Sequence, residues 1–158
     1  MKQKRVYLMV GCPGSGKSTW IKERVNKYGG AWCSRDEVRF SMVKENEDYF
    51  SRETDVFARW IKNINKAIKD DNVTDIYVDA THISTASRHK TLRNLNLVNV
   101  DVIPVVVQTN LETCIKRNNC RTGRERVPES AINKMYNTYV KNPIDNDLMI
   151  KYKEVIYK

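Results

Sequence analysis

Residues 5–20 read Arg5-Val6-Tyr7-Leu8-Met9-Val10-Gly11-Cys12-Pro13-Gly14-Ser15-Gly16-Lys17-Ser18-Thr19-Trp20. An apolar run leads into G-x-x-x-x-G-K-[ST], Gly11 to Ser18, and then into helix-compatible residues, which is the strand–loop–helix setting of a phosphate-binding loop. The glycines let the backbone turn tightly enough for successive N–H groups to point at a phosphate chain. Lys17 is placed to reach the terminal phosphates, the Ser18 hydroxyl to bind Mg²⁺, and the helix opening at Lys17 adds its positive N-terminal end. An ordinary Gly-rich turn meets four such positions by chance on the order of once in a few hundred chains of this length. The flanking strand and helix make the coincidence rarer still. A nucleotide site is the reading.

The chain has 158 residues, 30% charged and 41% hydrophobic, which suits one soluble domain spanning residues 1–158. No apolar run approaches membrane-spanning length, and Lys2, Lys4 and Arg5 precede a strand rather than a signal-peptide core, so a cytoplasmic setting without a membrane partner is expected. Four cysteines without a C-x-x-C pair, and only two histidines, argue against structural zinc and fit reduced thiols. Cys12, just before a helix N-terminus, is expected to be somewhat acidic without being catalytic. The net charge of +9 suits a polyanionic partner such as nucleic acid.

Along the chain, a helix over about Lys17 to Tyr28 is ended by Gly29-Gly30. Ala31 to Ser34 reads as a buried strand, and Arg35 to Arg39 as its exit into a helix. Lys44 to Thr54 is polar and poorly periodic, mostly loop. Val56, Phe57, Trp60, Ile61, Ile64, Ala67 and Ile68 predict an amphipathic helix over Asp55 to Lys69. Asp75 to Asp79 is a third strand, and Ser84 or Ser87 caps a helix to about Leu97. Asp101 to Val107 is a buried strand, Asn110 caps the next helix, and Pro128 starts another running to about Val140. Glu154 to Tyr157 closes a fifth strand. Alternating strands and helices predict a parallel sheet covered on both faces.

The loop alone does not choose among switch, motor and kinase. Asn65-Lys66-Ala67-Ile68 and Asn133-Lys134-Met135-Tyr136 both lack the Asp of a guanine-reading N-K-x-D. Asp79, at a strand end, is placed to support a metal but has no adjacent acid to activate water. Phosphoryl transfer to a bound acceptor remains. Asp36, just past the second strand, is the candidate base, because strand C-terminal ends share one crevice and bring it near Lys17 and Asp79. The competing role for Asp36 is an N-cap. Arg39, one turn on, is placed either to grip an acceptor phosphate or to lie solvated. Arg117 to Arg126 holds four arginines and a glycine between two helices. Such a stretch suits a mobile lid over about residues 117–127 that brings guanidinium groups to the transferring phosphoryl.

Gly11 to Trp20, Ser34-Arg35-Asp36, Asp79-Ala80-Thr81-His82, and Lys116-Arg117-Asn118 through Val127-Pro128 to Met135-Tyr136 together resemble the kinase domain of phage-type 5′-polynucleotide kinases, over nearly the whole chain. The resemblance implies an α/β P-loop NTPase fold of adenylate-kinase-like architecture, with a parallel five-stranded sheet flanked by helices and a small lid. It implies transfer of the ATP γ-phosphate to the 5′-hydroxyl end of DNA or RNA, a role in nucleic acid repair, and compatibility with a phage-encoded origin. By the resemblance Gly11, Cys12, Pro13, Gly14, Ser15, Gly16, Lys17, Ser18 and Thr19 hold ATP, with Ser18 on Mg²⁺ and Arg117 near the nucleotide. Asp36 is the general base, Arg39 meets the phosphate next to the acceptor nucleoside, and Arg121 is the lid arginine at the transition state. Thr81 and Arg88 fall where the family contacts its substrate strand. The lid is about one residue longer than the pattern, which leaves Arg121, Arg124 and Arg126 as alternatives, and His82 stands in place of a smaller amide. No phosphatase motif follows, so the expectation is a kinase acting alone or beside a separate phosphatase or ligase, with a homo-oligomer allowed. The alternative is a P-loop kinase of a small molecule such as a nucleoside, sugar or antibiotic, which shares the loop, Asp36 and the lid. A third reading, a non-catalytic ATP-dependent nucleic-acid-binding module, is opposed by Asp36.

Overall fold

The computed structural model describes residues 2–158. Five parallel strands, β1 (Lys4–Val10), β2 (Ala31–Ser34), β3 (Asp75–Asp79), β4 (Val100–Val106) and β5 (Ile156–Tyr157), form one sheet in the order β2-β3-β1-β4-β5. The central β1 pairs Val6 with Ile76 on one side and with Val102 on the other. The helices are α1 (Lys17–Tyr28), α2 (Arg35–Met42), α3 (Glu53–Lys69), α4 (Thr85–Arg93), α5 (Leu111–Asn119) and α6 (Glu129–Lys141). This is the expected P-loop architecture, a parallel sheet flanked by helices.

Alternation along β1 divides the core between the two faces of the sheet. Val6 and Leu8 pack with Ile76, Val78 and the Val56, Trp60, Ile64 and Ile68 stripe of α3. Tyr7 and Met9 pack on the other face with Tyr77, Ile103, Val105 and Ile21 of α1. Both faces of the central strand are dry, so it reads as a continuous apolar run. Pro104 is tolerated inside β4 because its missing N–H lies on the β5 side, where pairing begins only at Val105. At the end of α1, Gly30 has φ 118°, and a Cβ there would lie 2.6 Å from the Asp75 carbonyl oxygen. Only glycine lets the chain turn so close to β3.

Boundaries shift where tertiary contacts decide them. The helix expected to reach Leu97 ends at Arg93, and Leu95 turns back into the core at 7% exposure. β5 is shorter than expected, because the preceding chain touches the sheet through a Lys153 N–H donated to the Val102 carbonyl before pairing starts at Ile156. The lid contains a single 3₁₀ turn, Gly123–Glu125.

Arg88 corrects an expectation. Instead of meeting a substrate strand, it is wholly buried and ion-paired with the equally buried Asp147, with Nε–Oδ2 at 2.6 Å and Nη2–Oδ1 at 3.0 Å. Its other donors serve the His82 and Asn142 carbonyls. An arginine with every nitrogen engaged inside the fold has nothing left to offer a ligand, and this one fastens the 142–147 segment to α4. Burial pushes the Asp147 carboxyl up, but hydrogen bonds from Arg88 and Tyr152 outweigh it and hold it below its ordinary 3.8. The pair therefore contributes stability above that pH and loses it as pH falls through the lowered folded-state value. Arg88→Ala should cost about 3–5 kcal/mol in urea unfolding at neutral pH, by stranding a buried carboxylate. The deficit should narrow as the pH drops below 3.8.

Candidate functional site

The loop between β1 and α1 is fixed from outside. The Gly11 N–H donates to the Thr81 carbonyl at 2.9 Å, Thr109 Oγ1 to the Ser15 carbonyl at 2.6 Å, and Arg117 Nη1 to the Gly14 and Ser15 carbonyls at 3.2 and 3.3 Å. Gly14 has φ 80°, and a Cβ there would lie 2.7 Å from the Cys114 carbonyl oxygen, so α5 is the floor on which the loop sits. Lys17 Nζ donates to the Gly11 and Cys12 carbonyls at 2.8 and 3.0 Å. Burial pulls its pKa down, and the Asp79 and Asp36 carboxylates oppose that pull. The Ser15 hydroxyl is buried in the loop with no hydrogen-bond partner among the described residues. Cys12 reverses an expectation: it is 5% exposed and its thiol is pushed up to about 11 by burial, which outweighs any helix N-terminal effect.

Beside the loop opens a cleft of about 1030 Å³. Lys17, Asp36, Arg39, Thr81, Arg117 and Arg121 all line it, as do Ser18, Thr19 and Asp79. Asp36 stands in the first turn of α2 and is not its cap, since Ser34 Oγ accepts the Glu37 N–H at 3.2 Å. Its side chain is 62% exposed. Arg39 Nη1 and the Tyr49 hydroxyl, the latter at 3.1 Å, both donate to Asp36 Oδ1, leaving Oδ2 for another donor. Tyr49 remains a donor because burial and the Asp36 charge push its hydroxyl up to about 12.

Arg39 is neither solvated nor free. It is 6% exposed, and its fork meets Glu53, with Nε–Oε1 at 2.6 Å and Nη2–Oε2 at 3.1 Å. The bidentate grip expected on a phosphate is thus taken by a carboxylate, and Nη1 is what Arg39 presents beside Asp36. Glu53 also receives Arg35 Nη2 at 2.8 Å. Across the cleft, Trp32 Nε1 donates to Asp79 Oδ2 at 2.9 Å. Burial raises the Asp79 pKa, with Lys17 and Trp32 holding it back.

The segment expected to form the lid is pinned at its base, where Asn118 Nδ2 donates to the Val127 carbonyl at 2.6 Å and the Val127 N–H returns to Asn118 Oδ1 at 2.9 Å. Its arginines then separate. Arg121 lines the cleft, Arg124 donates to the Phe40 carbonyl with its guanidinium 4.6 Å from the Phe40 ring, and Arg126 donates to Asn119 Oδ1 at 3.2 Å.

Residues 6–141 match the model of a family described as AAA domain. The chain belongs to the AAA-domain family. Its P-loop is accordingly a nucleotide-binding one, and the family leaves the reaction open. Among solved structures, this AAA domain is similar to a chain in a structure of the Pnkp1/Rnl/Hen1 RNA repair complex, with TM-score 0.77 and 22% identity over 97% of this chain and 48% of that one. It is similar to a fungal RNA kinase, with TM-score 0.64 and 14% identity over 98% and 73%. It is also similar to a gluconokinase from Sinorhizobium meliloti 1021, with TM-score 0.59 and 13% identity over 99% and 83%. The domain spans about half the length of the RNA-repair chain it matches. At these identities the likeness is one of fold, shared by kinases of RNA and of a small molecule.

Several site residues of the AAA domain escaped the sequence. Glu53 and Tyr49 sit in or beside the stretch read as loop, and nothing in their spacing announces Asp36 or Arg39. Trp32 lies on a strand whose apolar character hides a side chain reaching Asp79. No helix among the described residues is long and apolar enough to cross a membrane.

His82, the departure from the expected amide, is 3% exposed with φ 46°. Its Nδ1 meets the Met9 carbonyl at 2.8 Å and its Nε2 meets Thr91 Oγ1 at 3.0 Å. A carbonyl only accepts, so the proton belongs on Nδ1, and Nε2 accepts from the threonine. Burial lowers the pKa from 6.5 to about 3. Between those values the unfolded chain binds a proton that the folded one refuses, so this contribution to stability falls as pH drops below 6.5. The slope is about 1.4 kcal/mol per pH unit. Unfolding free energies of His82→Asn and the wild type, measured between pH 4 and 7, should converge as the pH falls.

Proposed function

We propose that the chain is a 5′-hydroxyl polynucleotide kinase that transfers the ATP γ-phosphate to the 5′-OH end of DNA or RNA. The observation that carries phosphoryl transfer to a hydroxyl in this reading is Asp36: an exposed carboxylate in the first turn of α2, oriented through Oδ1 and sharing one cleft with Lys17 and Arg121. Its Oδ2 is left to take the acceptor proton. As the acceptor oxygen bonds to the γ-phosphorus, the bond to the ADP oxygen breaks and negative charge grows on the leaving phosphate. Lys17 and the P-loop amides are placed for that charge, with Arg121 at the transferring group. The orphaned Ser15 hydroxyl and the positive φ of Gly14 fit a loop built to wrap a phosphate chain. The Ser18 hydroxyl and the Asp79 carboxylate, both on the cleft, would hold Mg²⁺, which would supply neutralisation of phosphate charge. Thr81 lines the acceptor side, and Arg117 holds the loop against the nucleotide.

Likeness to a chain from an RNA repair complex supports an end-processing role beside separate phosphatase or ligase activities. A small-molecule kinase is the second reading, favoured by the gluconokinase likeness that spans 99% of this chain. Against it stand the +9 charge and the aromatic rings of Phe40, Tyr49 and Phe50, which line the cleft among its polar groups.

The test is transfer of labelled γ-phosphate from ATP to a 5′-hydroxyl oligonucleotide, to its 5′-phosphorylated counterpart, and to a panel of nucleosides and sugar acids. Label on the first alone is expected, and label confined to sugar acids overturns the reading. Asp36→Asn should retain ATP binding and lose most transfer. Arg121→Ala should lower kcat by about 10³ or more. Arg124→Ala and Arg126→Ala, whose guanidinium groups are spent elsewhere, should each fall far less.

A further inference from the structure

The acceptor side of the cleft carries a run of aromatic rings that proton transfer does not use. Phe40 and Tyr49 meet edge to face with centroids 6.3 Å apart, and Tyr49 and Phe50 do so at 4.7 Å. The Arg39 guanidinium backs the last two, 4.7 Å from the Tyr49 centroid and 5.7 Å from that of Phe50. Each of the other rings has a commitment. Phe40 is covered by Arg124, Tyr49 donates its hydroxyl to Asp36, and the more distant Trp32 donates to Asp79. Phe50 lines the cleft with 48% of its surface exposed. This large apolar ring, one residue from a tyrosine bonded to Asp36, packs one side on Tyr49 and leaves about half of its surface open to a charged cleft.

We infer that Phe50 is the stacking platform for the nucleobase of the terminal nucleoside whose 5′-hydroxyl reaches Asp36, which makes a base-bearing end, rather than a sugar acid or polyol, the acceptor class of this site. The inference rests on the kinase reading above and deepens it. Tyr49 links the two functions: its hydroxyl orients Asp36 while its ring packs against Phe50, so a stacked base and the attacking oxygen are held by neighbouring residues. Every base has a π-face, so such a platform takes any of them with little preference. The cationic backing from Arg39 keeps the ring in place beneath the base.

The experiment compares wild type, Phe50→Ala and Phe50→Trp on a 5′-hydroxyl oligonucleotide, on the same strand with an abasic 5′-terminal residue, and on a sugar acid, with KM for ATP measured alongside. Phe50→Ala should raise KM for the base-bearing strand about tenfold, leave the abasic strand within about twofold, and leave KM for ATP unchanged. Phe50→Trp should restore the wild-type KM. Equal effects on base-bearing and abasic strands, or no effect on either, overturn the platform while leaving the kinase reading intact. Wild-type transfer to the sugar acid alone, or to none of the acceptors, overturns both.

Discussion

The site is organised by one ammonium group. Lys17 sits at the edge where the parallel strands end, and a cation withdrawn from water is costly unless it finds partners. Two loop carbonyls bond it, and the carboxylates of Asp79, at the end of β3, and Asp36, at the start of α2, act on its charge from the same cleft. That requirement reaches far into the fold. It is met where β3 lies beside β1 and β2 delivers its exit to the same edge. The sheet order β2-β3-β1 brings all three strand ends together there. The apolar faces of β1, dry on both sides, make that edge rigid enough for the arrangement to persist.

Much of this was written in local sequence. The apolar run before Gly11, the Gly29-Gly30 stop and the four-residue spacing of Val56, Trp60, Ile64 and Ile68 are short-range signals, each answering to one backbone constraint. The α1 and β2 boundaries match the expectation residue for residue. Where tertiary contact decides, the sequence was silent or misleading. Resemblance alone assigns Arg88 to a substrate strand, and its partner Asp147 lies 59 residues away, where nothing local marks the pair. Cys12 looked acidic from its neighbours in the chain, but solvent exclusion governs the thiol. Leu97 looked helical until Leu95 was needed in the core.

The acceptor side was the least legible, for a physical reason. Its working parts come from a stretch with no periodicity, Tyr49 to Glu53, and act through side-chain contacts across two helices. Glu53 fixes Arg39, Arg39 and Tyr49 fix Asp36, and the rings of Tyr49 and Phe50 lie over the same guanidinium. A buried arginine flanked by two acids is held by geometry rather than by charge alone, so the direction of its remaining nitrogen is set before any acceptor arrives. Such preorganisation suits phosphoryl transfer, in which the protein contributes position and field more than covalent chemistry.

The lid and the acceptor helix are not independent parts. Arg124 reaches from the 3₁₀ turn of the lid to the carbonyl and ring of Phe40, one residue beyond Arg39 on α2. In the same lid Arg121 borders the cleft, and at its base Arg117 holds the loop carbonyls. One short segment therefore touches the phosphate-binding loop, the cleft and the helix that carries Asp36. Movement of this segment away from the cleft would break the contact of Arg124 with Phe40, while the Arg39–Glu53 pair still holds α2 to α3. On the kinase reading proposed above, such a contact would link the position of Arg121 to that of the helix carrying Asp36.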